Sequence, residues 1–174
     1  MPKDPLRREL LTWEDVDMLI DILLGQLREA GPFDGLIMIT RGGIIPGGML
    51  CEALDIQHVL TAAVRFAPGL EDQPLAAWPE FLQFPADDLI EGRRLLIVDD
   101  VWGSGRTSTA VSGRVEAGGG LPSTCVLHFN PYRTLFKKTQ PDYYAAVTDA
   151  WIVYPWEIDR GTDNIAAGPP GVHN

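Results

Sequence analysis

The residues 95 to 108, LLIVDDVWGSGRTS, hold the most chemistry per position in the chain. An apolar run delivers two adjacent carboxylates, Asp99 and Asp100, to its end. Small residues follow, Gly103, Ser104 and Gly105, and then Arg106, Thr107 and Ser108, near which a helix is expected to begin. Glycines let a backbone turn tightly and aim successive N–H groups inward. A helix N-terminus adds partial positive charge, and the hydroxyls of Ser104, Thr107 and Ser108 add hydrogen-bond donors. Such a loop can cradle a phosphate monoester. The two acids are wrong for phosphate itself. They suit sugar hydroxyls, or a divalent cation that also meets a sugar and a pyrophosphate. A plain strand-to-helix turn with a solvated acid pair is the competing reading. The combination of strand, paired acids, glycines and Thr at a helix start is far more specific than a loose G-x-G match.

The elements around the loop must position it. RRLLIVDD, residues 93 to 100, is the strongest strand, and Gly118-Gly119-Gly120 ends the helix that follows. Thr12 is a plausible N-cap with Asp15 three residues on. Val16, Leu19, Ile20, Leu23, Leu24 and Leu27 then recur at helical spacing, up to Gly31-Pro32. LIMIT, residues 36 to 40, reads as a buried strand ending at Arg41-Gly42-Gly43, with a helix over about Pro46 to Leu54. HVLTAAVRF (58 to 66) and TCVLHF (124 to 129) read as strands, and YYAAV and WIVYPW as two short extended pieces. Residues 67 to 92 mix prolines, glycines and acids with Trp78, Phe81 and Phe84, which suggests a long excursion with limited regular structure. Long loops of that kind are often lids. Strands alternating with helices argue for a mostly parallel α/β sheet with right-handed crossovers.

The bulk properties bound the answer. A chain of 174 residues suits one domain, 1–174, with an irregular tail from about Asp159. A net charge of −10 lacks the basic footprint of a nucleic-acid binder, so any polyanion must be held by local devices. No apolar run approaches the roughly 20 residues of a membrane span. The charged N-terminus lacks a signal-peptide core, so a cytoplasmic protein is expected. Cys51 and Cys125 sit apart in apolar runs, as buried thiols of a reducing compartment would. His58 and His128 have no partners at ligand spacing and read as structural.

On these motifs the chain resembles the type I phosphoribosyltransferase family, whose signature is an apolar strand, paired acids and a Gly/Thr phosphate loop. ITRGGIIPGGMLCEAL resembles the family's pyrophosphate-binding segment. HFNP and DAWIVYPWE resemble the late strand and closing segment of its xanthine-guanine and hypoxanthine branch. The resemblance covers most of the chain. It implies a twisted, mostly parallel sheet flanked by helices, with a flexible lid loop and a small C-terminal hood. It implies phosphoribosyl pyrophosphate with Mg²⁺ and a purine-like nucleobase as partners, purine salvage as the role, and a homodimer or homotetramer. Residues 103 to 107 (Gly103, Ser104, Gly105, Arg106, Thr107) would take the 5′-phosphate, and Asp99 and Asp100 the ribose hydroxyls. Arg41 and Gly42 would meet the pyrophosphate, and a cis peptide there is one way the backbone could do so. Trp151 would stack on the base while the Ile152 backbone reads its edge. Asp100 and Glu157 would stand by the metal, and Arg65 could reach the pyrophosphate.

Two positions depart from that branch. Its loop usually carries a third acid beside the purine where this chain has Gly103, and a Lys facing the 6-oxo group where this chain has Asn130. Gly103 can neither accept nor return a proton. Asn130 can donate to a carbonyl, but without charge. Both changes fall on base handling and neither on the phosphate cradle. Three readings follow: a purine phosphoribosyltransferase working without the loop acid, a transferase to another nucleobase or nitrogen nucleophile, and a non-catalytic binder of phosphoribosyl pyrophosphate or nucleotide.

Overall fold

The computed structural model describes residues 7–66 and 78–158. In chain order the elements are β1 (Arg8–Leu10), α1 (Trp13–Ala30), β2 (Gly35–Ile39), α2 (Ile44–Ala53), β3 (Val59–Phe66), β4 (Pro79–Gln83), β5 (Arg94–Trp102), α3 (Arg106–Ala117), β6 (Leu121–Phe129), β7 (Tyr143–Val147), β8 (Trp151–Val153) and α4 (Pro155–Ile158), with a 3-10 turn at Asp87–Leu89. Six strands form one sheet in the order β4-β3-β2-β5-β6-β7, and only the β3–β4 pair is antiparallel. This is the mostly parallel α/β sheet that the alternating pattern implies.

The strand β5 is buried on both faces because its side chains alternate between two cores. Leu96 and Val98 face the layer that holds α1 and α2, while Leu95 and Ile97 face the one that holds α3. The helix α1 lays its six apolar positions, Val16 to Leu27, into the first core. Each contributes about 1.5–3 kcal/mol of transfer free energy. Its start is a capping box: the Thr12 side chain accepts from the Asp15 amide, and the Asp15 carboxylate accepts from the Thr12 amide. Gly31 ends it.

From β2 the chain crosses through α2 to β3 on one side. From β5 it crosses through α3 to β6 on the other. Right-handed crossovers in opposite directions put the two helices on opposite faces. A crevice therefore opens between the carboxyl ends of β2 and β5, the place where parallel sheets bind ligands.

Several boundaries differ from the sequence expectation. The helix α3 starts at Arg106 rather than near Ser108, and α2 starts two residues before Pro46. Residues 67–77 of the expected lid lie outside the described residues, as does the tail from Asp159. The remainder of that excursion is more regular than its composition suggests. It holds β4, an edge strand that opens on Pro79 and turns Phe81 toward the second core. The two-stranded sheet of β1 and β8 was not legible: the closing segment pairs in parallel with three residues near the N-terminus, Arg8 beside Trp151 through Leu10 beside Val153. Among the described residues no helix is long and apolar enough to cross a membrane.

Candidate active site

The acid pair lies at the end of β5, half-buried, beside the loop that follows β2. A Cβ placed on Gly42 would stand 2.5 Å from the Asp100 carboxyl and 2.6 Å from an Asp99 oxygen. Only glycine allows this approach, so the Arg41-Gly42 backbone and the two acids form the two walls of one crevice. The cis peptide is present, at Thr40–Arg41, one residue before the expected position. Arg41 is exposed and makes no ion pair with a described residue.

The phosphate loop follows within three residues. Gly105 has φ +77° and packs against the Trp102 indole, so a Cβ there is excluded by both backbone and space. The helix α3 begins on it with no side-chain cap. Its first N–H groups are the orphan donors of any helix start, and the small side chains of Gly103, Ser104 and Gly105 precede them. Ser104 is exposed, Thr107 half-exposed and Ser108 buried. Ser104 Oγ accepts a long bond from the Arg106 amide, at 3.4 Å. The Arg106 guanidinium lies 4.2 Å from the Phe66 ring centroid, joining this loop to the end of β3.

Among the described residues no cation offsets the charge of the two acids. Desolvation raises the Asp99 carboxyl well above its usual range, with the Asp100 charge second. Asp100 is raised to about 6, first by desolvation and then by the Glu157 charge, against the opposing bond from the Val101 amide. Tyr154 is raised well above its usual range by burial and by these same acids. Its hydroxyl donates to the Asp100 carbonyl at 2.9 Å, which fixes the end of β5 against the closing segment. Since that hydroxyl spends its proton there, the 3.0 Å contact with His128 needs Nδ1–H of the ring as donor. Burial lowers His128 to about 4, so it is neutral and structural, as expected. His58 is also tied, to the Leu89 carbonyl at 2.8 Å. Both cysteines are free, Cys125 buried and Cys51 half-buried.

Glu157 Oε2 accepts from the Tyr154 amide at 2.8 Å, which holds this acid near Asp100. No group of three or more His, Cys, Asp or Glu among the described residues could hold a metal by itself. The donor set nonetheless fits Mg²⁺, which keeps several waters and takes one or two carboxylates with substrate phosphates. Arg65 is not aimed at the crevice: it pairs with Glu80 across β3 and β4 at 2.8 Å.

Of the residues expected to handle the base, Trp151 and Ile152 lie on β8 and Asn130 follows β6. Ile152 is 7% exposed and packs in the first core, while Trp151 is half-buried at the sheet edge. The Arg133 guanidinium stands over the Trp151 ring, 5.3 Å from its centroid. Asn130 is 2% exposed, and its Oδ1 accepts from the Tyr132 amide at 3.1 Å. Neither Arg133 nor Tyr154 was singled out from sequence. The dipeptide Asn130-Pro131 was the available signal for the turn that carries Arg133.

No family model matches the chain. The xanthine-guanine phosphoribosyltransferase of Ruegeria sp. (strain TM1040) is 30% identical over 174 residues, spanning 88% of this chain and 91% of that protein. The enzyme of the same name from Nitratidesulfovibrio vulgaris (strain DP4) is 29% identical over 157 residues, spanning 86% and 84%. Among solved structures, the purine phosphoribosyltransferase from Pyrococcus horikoshii Ot3 is 34% identical with a TM-score of 0.73, covering 86% of this chain and 94% of that one. The Helicobacter pylori xanthine-guanine-hypoxanthine phosphoribosyltransferase, 16% identical with a TM-score of 0.72 over 92% of this chain and 99% of that one, shares the fold.

Proposed function

This chain belongs to the type I phosphoribosyltransferase family, and on that premise we propose that it transfers 5-phosphoribosyl from phosphoribosyl pyrophosphate to a 6-oxopurine, with release of pyrophosphate, in purine salvage. The observation that carries this reading is the apposition of Gly42 to Asp99 and Asp100, next to an uncapped helix start at Gly105.

Each part of the substrate then has a place. The N–H groups at the start of α3, with Ser104 and Thr107, hold the 5′-phosphate. Asp99 and Asp100 accept from the ribose hydroxyls. Arg41 and the Gly42 backbone hold the pyrophosphate. Trp151 gives the base a ring to stack on, and Ile152 presents backbone groups to its edge. Asp100, with Glu157 near it, would hold Mg²⁺, which when bound neutralises charge on the departing pyrophosphate. As C1′ loses pyrophosphate it gains cationic character, and a base nitrogen attacks from the opposite face. The fixed donors at the pyrophosphate act on charge that grows in the transition state, which is where such donors are most effective. Like the chemistry, a cytoplasmic location and assembly as a homodimer or homotetramer are part of this reading.

Gly103 supports a second reading. Without the loop acid, the chain could bind phosphoribosyl pyrophosphate or a nucleotide and not turn it over. One experiment separates the two. The protein is incubated with phosphoribosyl pyrophosphate, Mg²⁺ and a panel of nucleobases, and pyrophosphate release is followed. Release with xanthine, guanine or hypoxanthine is the expected result. Ligand binding with silence across the panel would sink catalysis and leave the binder.

A further inference from the structure

We propose that Arg133 is the residue that reads the exocyclic oxygen of the nucleobase, in the place of the Lys that the chain lacks at Asn130. The inference rests on the 6-oxopurine reading above and names the residue that gives it specificity.

Asn130 is poorly suited to that task, because the turn fixes its side chain through Oδ1 and its Nδ2 amide donates without charge. Its side-chain carbonyl accepts from the Tyr132 amide, and its backbone carbonyl accepts from the Arg133 amide at 3.3 Å. With Pro131 second, this is a β-turn built as its residues favour: Asn first, bonding two residues on, and Pro at the next position. Asn130 is therefore the residue that makes the turn, and Arg133 is the residue that the turn delivers.

The turn is fastened to the phosphate loop at three points. The Asn130 amide donates to the Trp102 carbonyl at 2.9 Å, and the Leu135 amide to the Ser104 carbonyl at 3.0 Å. The Trp102 indole N–H donates to Thr134 Oγ1 at 3.3 Å. Arg133 thus sits on a strap between the phosphate loop and the closing segment. Its guanidinium lies over Trp151, the ring on which the base is placed. It forms no ion pair with a described residue, so its donors are uncommitted. A base that stacks on the Trp151 face now covered by this guanidinium would displace the exposed Arg133 side chain toward the edge of the base. A guanidinium donates to a carbonyl oxygen with charge assistance, which an amide cannot supply.

The test is steady-state kinetics of R133A and R133K beside the wild-type protein, with xanthine, hypoxanthine and adenine. Arg133 is exposed, so both variants should fold, and thermal melts check this. In R133A the KM for the oxopurines should rise on the order of 10- to 100-fold, the size of a lost charge-assisted bond. The KM for phosphoribosyl pyrophosphate should stay within about twofold, and the preference for hypoxanthine over adenine should shrink by the same factor that hypoxanthine loses. R133K should recover most of the loss, since a Lys still supplies the charge. An unchanged base KM in R133A overturns the proposal, as does a parallel rise for both substrates, which would make Arg133 a prop of the phosphate loop. Wild-type protein that turns over no oxopurine would instead defeat the functional reading itself, and this proposal with it.

Discussion

A Cβ placed on Gly103 meets nothing within 4 Å, and its φ is not in the left-handed region, so a longer side chain fits there. If the glycine stands for a missing proton acceptor, G103D should raise kcat/KM on 6-oxopurines, by up to about 10²-fold if the acid acts as a full general base. An unchanged or lower rate would remove that idea. At Asp100 the sign of a pH effect follows from its raised carboxyl. The unfolded carboxyl ionises near 3.8 and the folded one near 6. Between those values the unfolded chain releases its proton first, so this group costs the metal-free fold stability as pH rises from about 4 to about 6. D100N should therefore melt a few degrees above the wild-type chain at pH 7.5 without metal, with the gap narrowing as pH falls below about 6 and gone below 3.8. Binding of a cation with substrate needs the ionised form, so Mg²⁺-dependent affinity for phosphoribosyl pyrophosphate should fall below about pH 6, as isothermal titration across pH would show.

Among the elements, the loops after β2 and β5 form the crevice by close approach. G42A would drive a methyl into both carboxylates, so activity should fall by orders of magnitude and affinity for phosphoribosyl pyrophosphate with it, while the melting temperature reports how far the acids can yield. The helix α1 is far more forgiving at its exposed start. T12A removes the capping box and should cost about 1 kcal/mol in a denaturant melt with kcat unchanged. Local patterns made α1 readable from its helical period, α2 from Pro46, and β2, β3 and β5 to β7 from their apolar runs. The strand β4 was hidden by Pro79 and by its exposed, mixed residues, which pair only because the β3 edge is there to receive them.

For the whole molecule, the segment that holds Trp151 depends on two chain segments more than 140 positions apart: β1 pairs with β8, and the Arg7 carbonyl accepts from the Trp151 amide at 2.8 Å. Deleting residues 1–10 should therefore raise the KM for the base well above any change for phosphoribosyl pyrophosphate. Equal changes in both would show that β1 serves general stability and not the placement of Trp151.

The sequence by itself determined the fold class and the strand, acids, glycines and helix start of residues 95–108. Strand, acids, glycines and helix start are contiguous there, so their spacing alone fixes their geometry. The likeness of the closing segment also pointed to the purine branch. Only the tertiary structure decided which cation faces Trp151, where Arg65 spends its charge, and that β1 exists. These depend on contacts between segments distant in the chain, and no local period records them. Asn130 shows the difference most directly: its residue type looked like a weakened base contact, and the structure shows its Oδ1 and backbone carbonyl closing the turn that carries Arg133.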